Sequence, residues 1–297
     1  MPPKFRMLLA IIFSALMLDA SPCALAASAD QPTDALTITV EGDDWGSANR
    51  QDIEALLYSV AHALLPATAG QPARTVVVTH TDGAPEVLYD RGAKGEYRVL
   101  LHARDTNWHL YVYEFAHEFC HIVANYDRHA LGAIRRNQWF EEALCETASL
   151  FALNRLADEW QASPPPVPAL ADGGRQLRWF YDLLIGEPHR RIAKADFNAW
   201  LHARVDTLRG DPYQRRLDDV VAMQLLPLFQ KDASKWDALR YLNLDPTDND
   251  CSLDTYLGHW YGNARNDDKL FVAAVLAALG AEARPLVAAG ADYPRAR

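Results

Sequence analysis

The chain has no excess of positive charge: 29 Lys and Arg stand against 39 Asp and Glu, a formal net charge of −10. Binding to phosphate backbones draws its affinity from clustered cations, and no basic stripe occurs in the sequence, which argues against a nucleic-acid partner. Long apolar runs are scarce as well. The stretch LFVAAVLAAL near the C-terminus is too short for the roughly 18 residues a bilayer span needs. Bounded by NDDK and GAEARP, it reads as a buried helix. No internal repeat of solenoid period is present. Cysteine and methionine are few, at 4 each.

What is present begins with the N-terminus. Lys4 and Arg6 precede an apolar stretch from Met7 to Leu18, followed by small residues at Ala24 and Ala26. That order is the pattern of a secretory signal peptide over residues 1–26, which places the mature protein outside the cytoplasm or in a periplasm, with no integral membrane segment after cleavage. Cys120, Cys145 and Cys251 then remain in a compartment where disulfides are permitted. With an odd count, at least one thiol stays unpaired within a monomer. Two buried thiols at Cys120 and Cys145 are the default expectation.

The segments LTITVEGDDWG, ARTVVVTHTDGAPEVLYDRG and EYRVLLHARDTN are rich in β-branched residues and separated by turn residues, so they read as strands of one small sheet. RQDIEALLYSVAHALL reads as a helix between the first two. From Trp108 onward helical periodicity dominates, over 108–126, 138–157, 175–185, 213–230, 234–242 and 267–280. The expected class is α+β: a small N-terminal mixed sheet, then a mainly helical region. Consecutive prolines in SPPPVPALADGG exclude regular structure at 163–174. This stretch divides an α+β lobe, residues 27–162, from a helical C-terminal lobe, residues 175–297.

Within the first long helical segment stands HEFCH, residues 117–121. Positions four apart on a helix lie about 40° and 6 Å from each other, so His117 and His121 project from one face toward one point. Two ligands of a zinc ion need that geometry, and Glu118 sits on its flank as a candidate base. Catalytic zinc takes a third protein ligand and keeps a fourth position open. Two candidates follow downstream. Glu142, in NQWFEEALCETASLF, lies on the next helical segment, and Glu146, four residues on, is placed to hydrogen-bond the outer nitrogen of a ligating histidine. Glu141 points about 100° away from Glu142 and is the less suited ligand. Asp127 stands where a metzincin carries its last ligand, but Ala124 occupies the position at which that pattern turns on glycine, and Met223 lies in a helical segment instead of a turn.

HEFCH followed, after twenty intervening residues, by Glu142 in WFEEA resembles the glutamate-zincin peptidases, the group of thermolysin-like enzymes and zinc aminopeptidases. The resemblance covers residues 97–151, with Trp139 and Glu142 matching by position. The GAMEN segment of the aminopeptidases is missing. The resemblance implies a zinc ion held by His117, His121 and Glu142, with Glu118 as general base and a peptide or protein as substrate. EYRVLLHA is then the candidate edge strand for the substrate backbone. Such enzymes have a Tyr or His donor for the oxyanion, for which Tyr213, Tyr256 and His259 are the candidates. His109 is more than two turns from His117 and is not expected to join the metal site. Two further classes fit the same residues: a zinc-binding protein that cleaves nothing, and a helical domain without metal.

Overall fold

A computed structural model describes residues 36–65, 74–129 and 135–281. The proposed signal peptide lies outside these residues. Strand β1, Leu36–Val40, alternates so that Ile38 and Val40 point into the core. Helix α1, Arg50–Leu64, starts where the Asn49 side chain accepts a 2.9 Å hydrogen bond from the Asp52 amide, and it buries Ile53, Leu56, Leu57, Val60 and Leu64 at helical spacing. It returns the chain to β2, Arg74–His80, which pairs parallel to β1 with Ile38 opposite Val76. β3, Glu86–Val87, and β4, Tyr97–Leu101, complete a sheet of order β1-β2-β4-β3. β4 is parallel to β2 and antiparallel to β3.

The α+β expectation holds, with one change inside the sheet. EYRVLLHA is β4, and β4 has a neighbour on both sides, so it is no edge; the edges are β1 and β3. A two-residue strand gives no alternation to read, which is why the sequence hid it.

Helices follow: α2, Trp108–Val123; α3, Gln138–Ala162; α4, Gly173–Gly186; α5, Lys194–His202; α6, Val205–Gly210; α7, Arg215–Lys231; α8, Leu253–Asn263; and α9, Asn266–Ala278. The segment expected as a helix at 234–242 is a 3-10 helix, Ala233–Tyr241, held by Trp236 stacked on Phe229 of α7 at 3.8 Å. The C-terminal apolar stretch is the buried face of α9, through Phe271, Val272, Val275 and Leu276. Among the described residues no helix is long and apolar enough to cross a membrane. α3 is buried almost all round from Trp139 to Leu153 and forms the axis of the core.

The proline-rich stretch does not separate two lobes. The described residues fall in a single compact unit. Leu170, in the short turn Pro168–Leu170, is fully buried, and α4 begins at once against the end of α3. Two glycines make that approach possible: a Cβ on Gly173 would fall 2.8 Å from the Trp160 ring, and one on Gly174 would fall 3.1 Å from the Gln161 amide. Gly173→Val is therefore expected to overpack this junction at a cost of ~1–3 kcal/mol. Calorimetry should show one unfolding transition, shifted down by several degrees. Two transitions of which only one moves would mean that two lobes unfold separately.

Candidate metal centre

α2 carries the two histidines and α3 the glutamate pair, and the two helices pack antiparallel, so successive turns of α3 meet earlier turns of α2. Glu141 reaches His121, Glu142 reaches both His117 and His121, Glu146 reaches Tyr113, and the Ser149 hydroxyl donates to the Tyr113 carbonyl. The Cys120 and Cys145 thiols are free and buried on these same two helices.

Glu142 Oε2 lies 3.2 Å from His117 Nε2 and 3.5 Å from His121 Nε2. Ligands held about 2.0–2.1 Å from a tetrahedral ion are about 3.3 Å apart, so these two separations fit coordination edges of a small cation. Cys145 Sγ is also within 4.8 Å of donor nitrogens of both histidines. It does not line the cleft described below, and burial, together with Cys120, pushes its thiol pKa well up. Glu142 is the donor on the open side.

The outer nitrogen of His121 is fixed by Glu141, not by Glu146. Nδ1 is 2.7 Å from Glu141 Oε1, while Glu141 Oε2 accepts from Arg135 and, at 2.7 Å, from Asn243 Nδ2. The Tyr256 hydroxyl donates to Asn243 Oδ1 at 2.8 Å. Helical spacing predicts Glu146 behind a histidine because it shares the face of Glu142. With the helices antiparallel, one turn forward along α3 is one turn back along α2, and Glu146 meets Tyr113 and Arg190 Nη1 (2.7 Å) instead.

Electrostatics follow from burial. Desolvation acts against charge on His121, but Glu142 and Glu141 outweigh it and hold the imidazole well above its ordinary pKa. Desolvation likewise acts against the Glu142 carboxylate, and His121 and His117 outweigh it, holding its pKa well down. Glu118 is 5% exposed, and burial raises its pKa; His117 and His121 pull the other way, and Glu142 adds to the rise. The nearby Val87 backbone of β3 is a smaller lowering influence.

These groups open into a cleft of about 1400 Å³. Residues 83–90 around the edge strand β3 form one wall; Phe180, Leu184, Glu187, His189 and Tyr213 stand on the helical side. Of the three candidate oxyanion donors, only Tyr213 lines this cleft. Its hydroxyl accepts a 3.0 Å hydrogen bond from Gln138 Nε2, which also donates to Glu142 Oε1 at 3.1 Å. Tyr256 is buried against Asn243, and His259 is paired with Asp248, so neither faces the cleft. Asp127, the alternative third ligand, is bound by Arg91 at 2.6 Å and is likewise absent from the cleft wall. The turn after α2 places its left-handed residue at Asn125, not at Ala124.

Arg135, Asn243, His189 and Asp219 escaped the reading of the sequence. His189 Nε2 is 2.6 Å from Asp219 Oδ2, and both line the cleft. No spacing signal marks Asn243 or the His189–Asp219 pair, since each reaches a partner far along the chain. No family model, no curated protein and no solved structure matches this chain in comparisons with known proteins.

Two outcomes are expected. Glu141→Gln should weaken divalent-metal affinity about 10–100-fold in chelator competition, because the tautomer of His121 loses its anchor, whereas Glu146→Gln should not. Equal losses would show that Glu141 has no special place. The second concerns Asp218 of α7, whose pKa is pushed up to about 9 by burial and then by Glu142, Asp219, Glu146 and Asp211. Its folded pKa exceeds its unfolded one, so stability is complete below the ordinary carboxylate range and is lost as pH rises toward 9. Asp218→Asn should therefore raise the melting temperature more at pH 8 than at pH 5; an equal rise at both would contradict the shift.

Proposed function

We propose that the chain is an exported zinc metallopeptidase that hydrolyses peptide bonds. The observation that carries this reading is the meeting of His117, His121 and Glu142 at coordination spacing beside the buried Glu118, all opening into one cleft. Two imidazoles and a carboxylate are a donor set of catalytic zinc sites.

His117, His121 and Glu142 would hold the ion. Bound there, zinc supplies Lewis acidity, acidifying a water molecule and polarising a carbonyl. Glu118, with its pKa raised by burial, takes a proton from the attacking water as the C–O bond forms, then passes it to the amine nitrogen as the C–N bond breaks. Tyr213, whose hydroxyl accepts from Gln138, keeps its own O–H free to donate to the developing oxyanion. The edge strand β3 offers backbone groups to an extended peptide, and it lines the same cleft as Glu118, which would set the scissile bond beside the base.

Glu118→Gln is expected to retain zinc and fold while peptide hydrolysis falls on the order of a hundredfold or more, measured on a peptide library with metal content determined in parallel. Loss of zinc in this variant would make Glu118 a ligand, and unchanged turnover would remove it as the base. A wild type that holds zinc and cleaves no member of the library would leave a zinc-binding protein without peptidase activity.

A further inference from the structure

Away from the cleft, donors of three chemical kinds converge on one short segment. Asp248 lies in the 3-10 turn Pro246–Asn249, Cys251 follows it, and His259 reaches back from α8. One oxygen, one sulfur and one nitrogen from these residues lie within 4.8 Å of one another. His259 Nδ1 is 2.7 Å from Asp248 Oδ1, and its Nε2 is 3.7 Å from Asp245 Oδ2. Both ring nitrogens thus face carboxylates, whereas a neutral imidazole has only one N–H to offer, so one lone pair is set against an anion. In the same turn, Asn249 Oδ1 is buried with no hydrogen-bond partner among the described residues.

Charge compensation distinguishes this cluster from the Glu187, His189 and Asp219 group in the cleft. There a guanidinium already supplies the counter-charge: Arg190 lies 2.8 Å from Glu187 and 3.1 Å from Asp219. Asp248 is 4% exposed, yet among the described residues no Lys or Arg forms an ion pair with it. Neighbouring guanidiniums are engaged otherwise. Arg209 donates to the Cys251 carbonyl at 3.1 Å and to Asn137, and Arg136 pairs with Asp250. A buried carboxylate without a fixed cation is costly, and a bound cation removes that cost.

We propose that Asp248, Cys251 and His259 form a second, structural zinc site, with Asp245 facing the other ring nitrogen of His259. Mixed sulfur, nitrogen and oxygen donors suit zinc, and the Cys251 thiolate and Asp248 carboxylate together balance its charge. On binding, the Cys251 thiol releases its proton to solvent as the S–Zn bond forms. The ion would tie the turn to α8, and with it Asn243 and Tyr256, which flank the segment and brace Glu141. This site does not depend on the peptidase proposal.

Cobalt(II) is the probe for the full-length protein, since thiolate coordination gives a sulfur-to-cobalt charge-transfer band that His and carboxylate ligands do not. Wild type and the His117→Ala/His121→Ala variant should both show the band, and Cys251→Ser should lose it. Independently, Cys251 is part-exposed while Cys120 and Cys145 are buried, so iodoacetamide labels it first in the native protein. Zinc should slow that labelling about tenfold or more in the wild type and less in His259→Gln. Absence of the band in wild type, its persistence in Cys251→Ser, or labelling indifferent to zinc would overturn the site. If Cys251→Ser fails to fold, the labelling of wild type decides. A lost peptidase activity with the band intact would strike the catalytic proposal alone.

Discussion

A carboxylate sealed from water must meet its counter-charge inside the protein, and Glu141, fully buried, meets this requirement from three directions at once. Arg135 arrives from the loop before α3, His121 from α2, and Asn243 from the segment beyond the 3-10 helix Ala233–Tyr241. Removing one partner of such a group typically costs ~3–5 kcal/mol, because the charge left behind stays buried. The position and tautomer of His121 thus follow from a neutralisation problem one layer behind the ring. The Arg135 side chain is 7% exposed, and although burial lowers its pKa, Glu141 and the tyrosines around it raise it overall, so its charge is secure.

A second buried network repeats this logic on the other side of the cleft. Arg190, 3% exposed, lies between Glu146 and Asp219, and Asp219 in turn holds His189 at the cleft wall. The two networks share α3, through Glu141 and Glu146, so the helix that supplies the Glu142 donor is clamped on both sides. A donor on a rigid, doubly clamped helix keeps its place whether or not the cleft is filled.

How much of this was legible in the sequence depended on the range of the interaction. The α2 histidines and the flanking Glu118 could be read because the helical period alone puts them together. Glu142 could be read because its helix was evident, although its meeting with His117 needed the packing of α2 on α3. Spacing suggests Glu146 as the outer partner of a ligating histidine, and the structure differs because helical spacing describes one helix and says nothing of the direction in which its neighbour runs. Arg135, Asn243 and His189 carried no signal, since charge neutralisation in a core is decided by residues that only the fold brings close. α5, α6 and α8 were missed for lack of length or of a clear apolar stripe, whereas the proline-rich stretch misled because proline forbids regular structure without forbidding close packing.

The reach of Asn243 has a consequence in time. It lies 102 positions from the carboxylate that it holds. A chain made from its N-terminus presents both histidines and Glu142 long before Asn243 exists, by roughly 5–20 s at ordinary rates of synthesis. During that interval Glu141 lacks one of its donors, and the His121 ring lacks the full support that fixes its orientation. The candidate centre therefore matures late, after the C-terminal half has docked, and a truncated or still-growing chain would hold the motif without the finished site.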